Sequence, residues 1–115
     1  MSQSRIDALV EMVKNDQENE LIWCGLANEY AKAEMWSAAA ESLDRVVRLK
    51  PDYTAAYQLL GTVLNHQGKA AEARNVWAEG IKVAARTGAW KARQHMESLM
   101  LKSDETENTD LHPPV

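Results

Sequence analysis

Residues 23–30 read WCGLANEY, and residues 57–64 read YQLLGTVL. The two stretches lie 34 residues apart, and laying 20–53 over 54–87 carries the match further along the chain. Trp23 falls on Tyr57, Leu26 on Leu60, Ala27 on Gly61 and Tyr30 on Leu64. Beyond them Ala39 meets Ala73, Leu43 meets Trp77 and Leu49 meets Val83. Large positions match large ones, and small positions match small ones. Self-similarity of this period marks a repeat architecture, in which each unit buries its apolar face by stacking on the next.

The spacings say what each unit is. Trp23, Leu26, Ala27 and Tyr30 follow one another at the intervals of a single α-helical face. Ala39, Leu43 and Val46 form a second such face. The small residue in the first face, Ala27 or Gly61, lets a neighbouring helix come close. Short breaks at 32–36 and 67–69 separate the two faces of each unit, which predicts antiparallel helical hairpins. Gly68 suits the left-handed conformation that ends many helices. Pro51 cannot continue the helix before it, and Asp52 then favours the start of the next.

At these residues the chain resembles the tetratricopeptide repeat family, whose motif runs W-x2-L-G-x2-Y, then A-x3-F, then P. The first unit supplies WCGLANEY, Ala39, Leu43 and Pro51; the second supplies YQLLGTVL, Ala73 and Trp77. Leu43 and Trp77 stand where the family has Phe, a hydrophobic exchange. Gly80 stands where the first unit has Val46. A mid-helix Gly costs roughly 1 kcal/mol against Ala, so a close helix crossing is expected there. Ala85 replaces the closing Pro, and the second helix of that unit is expected to run through Arg86 and stop at Gly88. The resemblance implies an all-α protein of antiparallel hairpins, stacked as a short right-handed α-solenoid of about six helices. It also implies a protein-binding module rather than an enzyme.

Two units alone expose apolar ends, so flanking helices are expected. Ile6, Leu9, Val10 and Val13 have helical spacing and place one at 4–15. Leu9 lies 34 residues before Leu43, which makes this helix the second half of a truncated repeat. Ala89, Ala92, Met96 and Leu99 form another stripe, with Trp90 and Met100 beside it. That stripe does not keep the register of the repeats, so 88–102 reads as a capping helix. Residues 103–115, SDETENTDLHPPV, are acidic and polar and read as a disordered tail.

Composition agrees with one helical domain. Of 115 residues only 5 are Gly and 3 are Pro, and Phe is absent. The formal net charge of −4 belongs to the tail, because residues 1–102 carry 13 basic and 13 acidic groups. Within that body, 1–68 hold 6 basic and 10 acidic groups, and 69–102 hold 7 basic and 3 acidic. This shallow dipole lacks the dense basic stripe of a nucleic-acid binder. No stretch reaches the length of a membrane span, and the first residues lack the apolar run of a signal peptide, so the expected compartment is cytoplasmic. The single Cys24 allows no internal disulfide.

Chemistry finds no converging set of residues. His66, His95 and His112 are dispersed, without metal-ligand spacing, and Cys24 has no base beside it. No Gly-rich phosphate loop is present, and no cofactor or metal is expected. What the resemblance implies instead is a concave groove lined by the first helix of each pair. Its candidates are Leu21, Cys24, Asn28 and Lys32 from the first unit, and Gln58, Thr62, Asn65 and His66 from the second. Some family members clamp a C-terminal carboxylate with Lys, Arg and Asn. Here Asn28 fits, but Cys24 stands for a Lys and Leu59 for an Asn, which argues against a receptor for chaperone tails. The expected function is an adaptor that binds a peptide or partner helix. The alternative is a self-associating scaffold using Trp90, Met96, Leu99 and Met100.

Overall fold

A computed structural model describes residues 2–111, with side chains described for 3–103. Six α-helices follow one another: α1 (Ser2–Asn15), α2 (Glu20–Lys32), α3 (Trp36–Leu49), α4 (Thr54–His66), α5 (Ala70–Thr87) and α6 (Trp90–Leu111). Each packs on its chain neighbours, and α4 also packs on α6. The expected stack of antiparallel hairpins is therefore what forms. The core is correspondingly divided along the stack. Ile6, Val13, Ile22 and Leu26 join α1 to α2. Ala27, Leu43, Val46 and Leu60 lie at the centre of the stack, and Tyr57, Trp77, Val83 and Met96 join α4, α5 and α6.

The two units repeat in their hydrogen bonds as well as their apolar residues. Trp23 Nε1 donates to the Gln17 carbonyl at 2.8 Å, and Tyr57 Oη donates to the Pro51 carbonyl at 2.8 Å. Both donors reach six residues back and so pin the loop that precedes their own helix. An apolar residue of the same size would fill the core there but would leave that carbonyl without its partner. The turn inside each hairpin repeats too. Met35 N donates to Tyr30 O at 2.8 Å, and Lys69 N donates to Leu64 O at 2.9 Å. The turn needs a positive φ, which Gly68 supplies at 77° and Glu34 supplies at 58°. Unit one thus carries the same left-handed turn on a residue with a Cβ.

Close approach explains the glycines inside helices. A Cβ on Gly61 would overlap the indole of Trp77, whose Nε1 donates to the Gln58 carbonyl at 3.2 Å. A Cβ on Gly80 would lie 2.5 Å from Met96 Sδ and 2.6 Å from Tyr57 Cβ. The close crossing expected at Gly80 is therefore present, with α4 and α6 as the neighbours. Helix α5 runs to Thr87 and ends on Gly88, which is left-handed at φ 80°.

The C-terminal boundary differs from expectation. The backbone of α6 stays helical to Leu111, past the limit of 102 drawn for the capping helix. No Gly or Pro interrupts the chain between Trp90 and Leu111, so no residue in that span breaks the helix. Residues 112–115 of the expected tail lie outside the described residues.

Candidate protein-binding site

The first helices of the two pairs, α2 and α4, bury one face in the stack and leave another open. The open face begins at its backbone. Asn28 Nδ2 donates to the Cys24 carbonyl at 3.0 Å, and Thr62 Oγ1 donates to the Gln58 carbonyl at 3.1 Å. Asn28 and Thr62 occupy the same place in successive units, as do Cys24 and Gln58. Each side chain is held against its own helix by that bond. Each keeps acceptor lone pairs, and Asn28 keeps a second N–H, for a bound chain. Asn65 is exposed one turn further along α4.

Cys24 is half-buried beside this row. Burial pushes its thiol above the ordinary value. The hydrogen bond from the Tyr53 hydroxyl works against that rise, and the Glu20 carboxylate adds to it. The same bond is the largest cause of the raised Tyr53 pKa. The thiol is therefore protonated at neutral pH and behaves as a packed side chain rather than a nucleophile. Tyr53, which precedes α4, joins α4 to α2 and carries no signal in the sequence that would mark it for this role.

Three candidates lie apart from this row, and two of them are engaged. Lys32 Nζ lies 3.5 Å from Glu29 Oε2, an oxygen that Arg5 Nη1 also meets at 3.3 Å. That carboxylate is 9% exposed, and the two cations compensate its burial. His66 stacks on Trp36 with centroids 4.4 Å apart and rings 4° from parallel. Leu21 is 65% exposed, but it borders a groove of about 590 Å³ shared with Leu9 and Met12 of α1. The structure brings Cys24, Asn28, Gln58 and Thr62 into the repeated hydrogen-bonded row and leaves these three at its margins.

Helix α6 adds what the sequence reading missed. It packs on α4 as well as α5 and so takes the place of a third first helix. Helix α4 starts at Thr54 and α6 at Trp90, an offset of 36 rather than 34. At that offset Ala55, Gln58, Thr62 and Asn65 correspond to Lys91, Gln94, Ser98 and Leu101, all exposed. The signal was available: Leu60, Val63 and Leu64 fall on Met96, Leu99 and Met100. The same placement corrects the surface named for self-association. Met96 is 0% exposed under Gly80, and Leu99 and Met100 pack partly against the α4–α5 core. Trp90, at 60%, is the member of that set that stands open, with Leu101 exposed further along α6.

Among the described residues no group of three or more His, Cys, Asp or Glu is placed to hold a metal ion. No helix among them is long and apolar enough to cross a membrane.

Comparison with known proteins places this geometry among helical repeats. No family model matches the chain. A TPR repeat-containing protein of Pseudomonas aeruginosa is 34% identical over 99 residues, covering 86% of this chain and 94% of the relative. A protein of Bordetella parapertussis, solved in solution, superposes with a TM-score of 0.82 at 25% identity, covering 94% of each chain. The crystal structure of a tetratricopeptide repeat domain protein from Salinibacter ruber superposes at 0.71 with 26% identity, over 76% of this chain and 97% of that one. The TPR2B domain of yeast Sti1, solved as a complex with pHsp70, shares the fold at a TM-score of 0.81 and 18% identity, over 88% of this chain and 81% of that one.

Proposed function

The chain belongs to the tetratricopeptide repeat family, and on that premise we propose that it is an adaptor whose concave face, formed by α2, α4 and α6, binds a peptide segment or helix of a partner protein. Proteins of this family in general mediate protein–protein interaction and are typically not enzymes. The observation that carries the finer reading is the repeated pair Asn28–Cys24 and Thr62–Gln58. Two side chains bonded alike to their own helices in successive units offer a bound chain hydrogen-bond partners at the period of the repeat. Their rotamers are already restrained by the bonds to their own helices, which lowers the entropy lost on binding. The apolar contact comes from Leu101 and from the exposed edge of Leu21. The reading places the protein in the cytoplasm, without nucleic acid, membrane or cofactor as a partner.

The test uses affinity capture from the source lysate with the full chain and with N28A/N65A, whose substituted side chains are exposed. Proteins recovered by the wild type should be lost from the double variant, while the two chains melt within a few degrees of each other. Recovery of the same proteins in the same amounts by both would place the site elsewhere.

A further inference from the structure

The outer side of the stack carries a groove that the concave-face reading does not use. Helices α3 and α5 both pack on α4, and between them lies an open furrow of about 470 Å³. Its floor is Leu60 and Leu64 of α4, flanked by Ala40 and Val76. Its rim is acidic on both sides, with Glu41 and Asp44 on α3 and Glu72 on α5, and Asn75 of α5 completes the lining. Asp44 is bridged to Arg48 at 3.0 Å. Glu41 and Glu72 make no ion pair with another described residue.

The acid is not a property of the repeat frame. One unit later the matching face of α5 borders only a hollow of about 230 Å³ against α6, with no later helix among the described residues to form a second wall. There Arg74, Asn75 and Ala78 occupy the places of Ala40, Glu41 and Asp44. The α3 carboxylates thus belong to the first unit and are not carried by the repeat.

We infer that the furrow between α3 and α5 is a second docking surface, and that it takes an amphipathic helix of a partner protein with Lys or Arg flanking its apolar stripe. The floor presents Ala, Leu and Val side chains and so offers no hydrogen-bond partners. An extended segment laid there would lose water from its backbone carbonyls, for which the rim carboxylates donate nothing and Asn75 offers one amide, whereas a helix satisfies its own backbone. A furrow between two helices also accepts the side-chain ridge of a third. Carboxylates on both walls then select cations on both flanks of the incoming stripe.

The probe is a fluorescein-labelled synthetic helix of Leu and Lys, with Leu along one face, titrated against the full chain by fluorescence anisotropy. A scrambled peptide of the same composition, without the stripe, is the control. The helical peptide should bind at least about tenfold tighter than the scrambled one. Amide shifts in the ¹⁵N-labelled protein should concentrate at Ala40, Leu64 and Val76. E41K/E72K reverses two exposed rim charges and should weaken binding by about tenfold at low salt, with a shallower salt dependence. A matching Leu/Glu peptide should gain affinity for that variant. N28A/N65A should bind the Leu/Lys helix as the wild type does, which separates this site from the concave face. The proposal is overturned if the helical peptide does not bind or binds no better than the scrambled one, if charge reversal leaves its affinity unchanged, or if the shifts fall on α2 and the open face of α4. Should E41K/E72K lose its helical circular dichroism, E41Q/E72Q carries the same test with a smaller expected loss.

Discussion

Gly61 and Trp77 occupy in the second unit the places of Ala27 and Leu43 in the first. The two pairs fill equivalent space differently, one with a small and a medium side chain, the other with none and the largest. Gly61→Ala should therefore destabilise the protein even though Ala favours a helix by about 1 kcal/mol. The added methyl meets the indole ring of Trp77, which is 2% exposed and has no room to retreat. Overpacking of this kind costs about 1–3 kcal/mol. Displacing the ring also breaks the 3.2 Å bond from Nε1 to the Gln58 carbonyl. A buried N–H left unpaired adds about 1–3 kcal/mol. The net loss is about 1–5 kcal/mol after the propensity gain. Trp77→Leu alone should lose about 2–3 kcal/mol through the cavity it opens. The double variant G61A/W77L rebuilds the pair found in the first unit. It should be less destabilised than the two single losses combined, by a coupling of about 2–3 kcal/mol. Urea unfolding followed by far-ultraviolet circular dichroism measures all four corners of this cycle. Additive losses would refute the reasoning, because they would mean that the methyl and the indole do not compete for the same volume.

The positive φ of 58° at Glu34 predicts that Glu34→Gly stabilises the protein by about 0.5–1 kcal/mol, the relief of the left-handed conformation less the entropy of Gly. Gly68→Ala in the equivalent turn should lose about 1 kcal/mol, and thermal melts of both variants check the opposite signs. The pKa values of Cys24, Tyr53 and Tyr57 are all raised in the folded chain. Each group then holds its proton more firmly folded than unfolded. The stability it contributes is whole below its unfolded pKa and is lost as pH climbs through its folded one. Urea midpoints should accordingly fall as pH rises past the ordinary thiol value of 9.0, and a midpoint that rises there would contradict the burial of Cys24 and Tyr57 and the bond between Tyr53 and Cys24. Tyr53→Phe removes the bond that favours the Cys24 thiolate, so alkylation of Cys24 at pH 8 should slow unless the substitution also opens its surroundings, which amide exchange would report.

Legibility followed the kind of contact. Faces that pack within the repeat were readable because Trp23, Leu26, Ala27 and Tyr30 must recur at helical spacing to be buried at all. The turn at Gly68 was readable from its residue type, whereas its twin at Glu34 was not, because a Glu carries no mark of a left-handed backbone. Candidate groove residues were harder. Lys32 and His66 sit on the expected side of their helices but are engaged by Glu29 and Trp36, the second a residue 30 positions away. The match of α6 to α4 was hidden by a shift of two residues. Helix α5 has 18 residues where α3 has 14, and the link that follows it is shorter, so the register sought at 34 appears at 36.

By itself, then, the sequence determined that this protein is a stack of helical hairpins, since periodic burial is written in residue size and spacing. Tertiary structure decided which open side chains remain available. It turned Asn28 and Thr62 back onto their own helices, buried Met96 under Gly80, and left Glu41 and Glu72 facing one another across an apolar furrow. The physical reason is that helix periodicity is a local property of one segment, while exposure and ion pairing depend on neighbours that only the packed stack brings together.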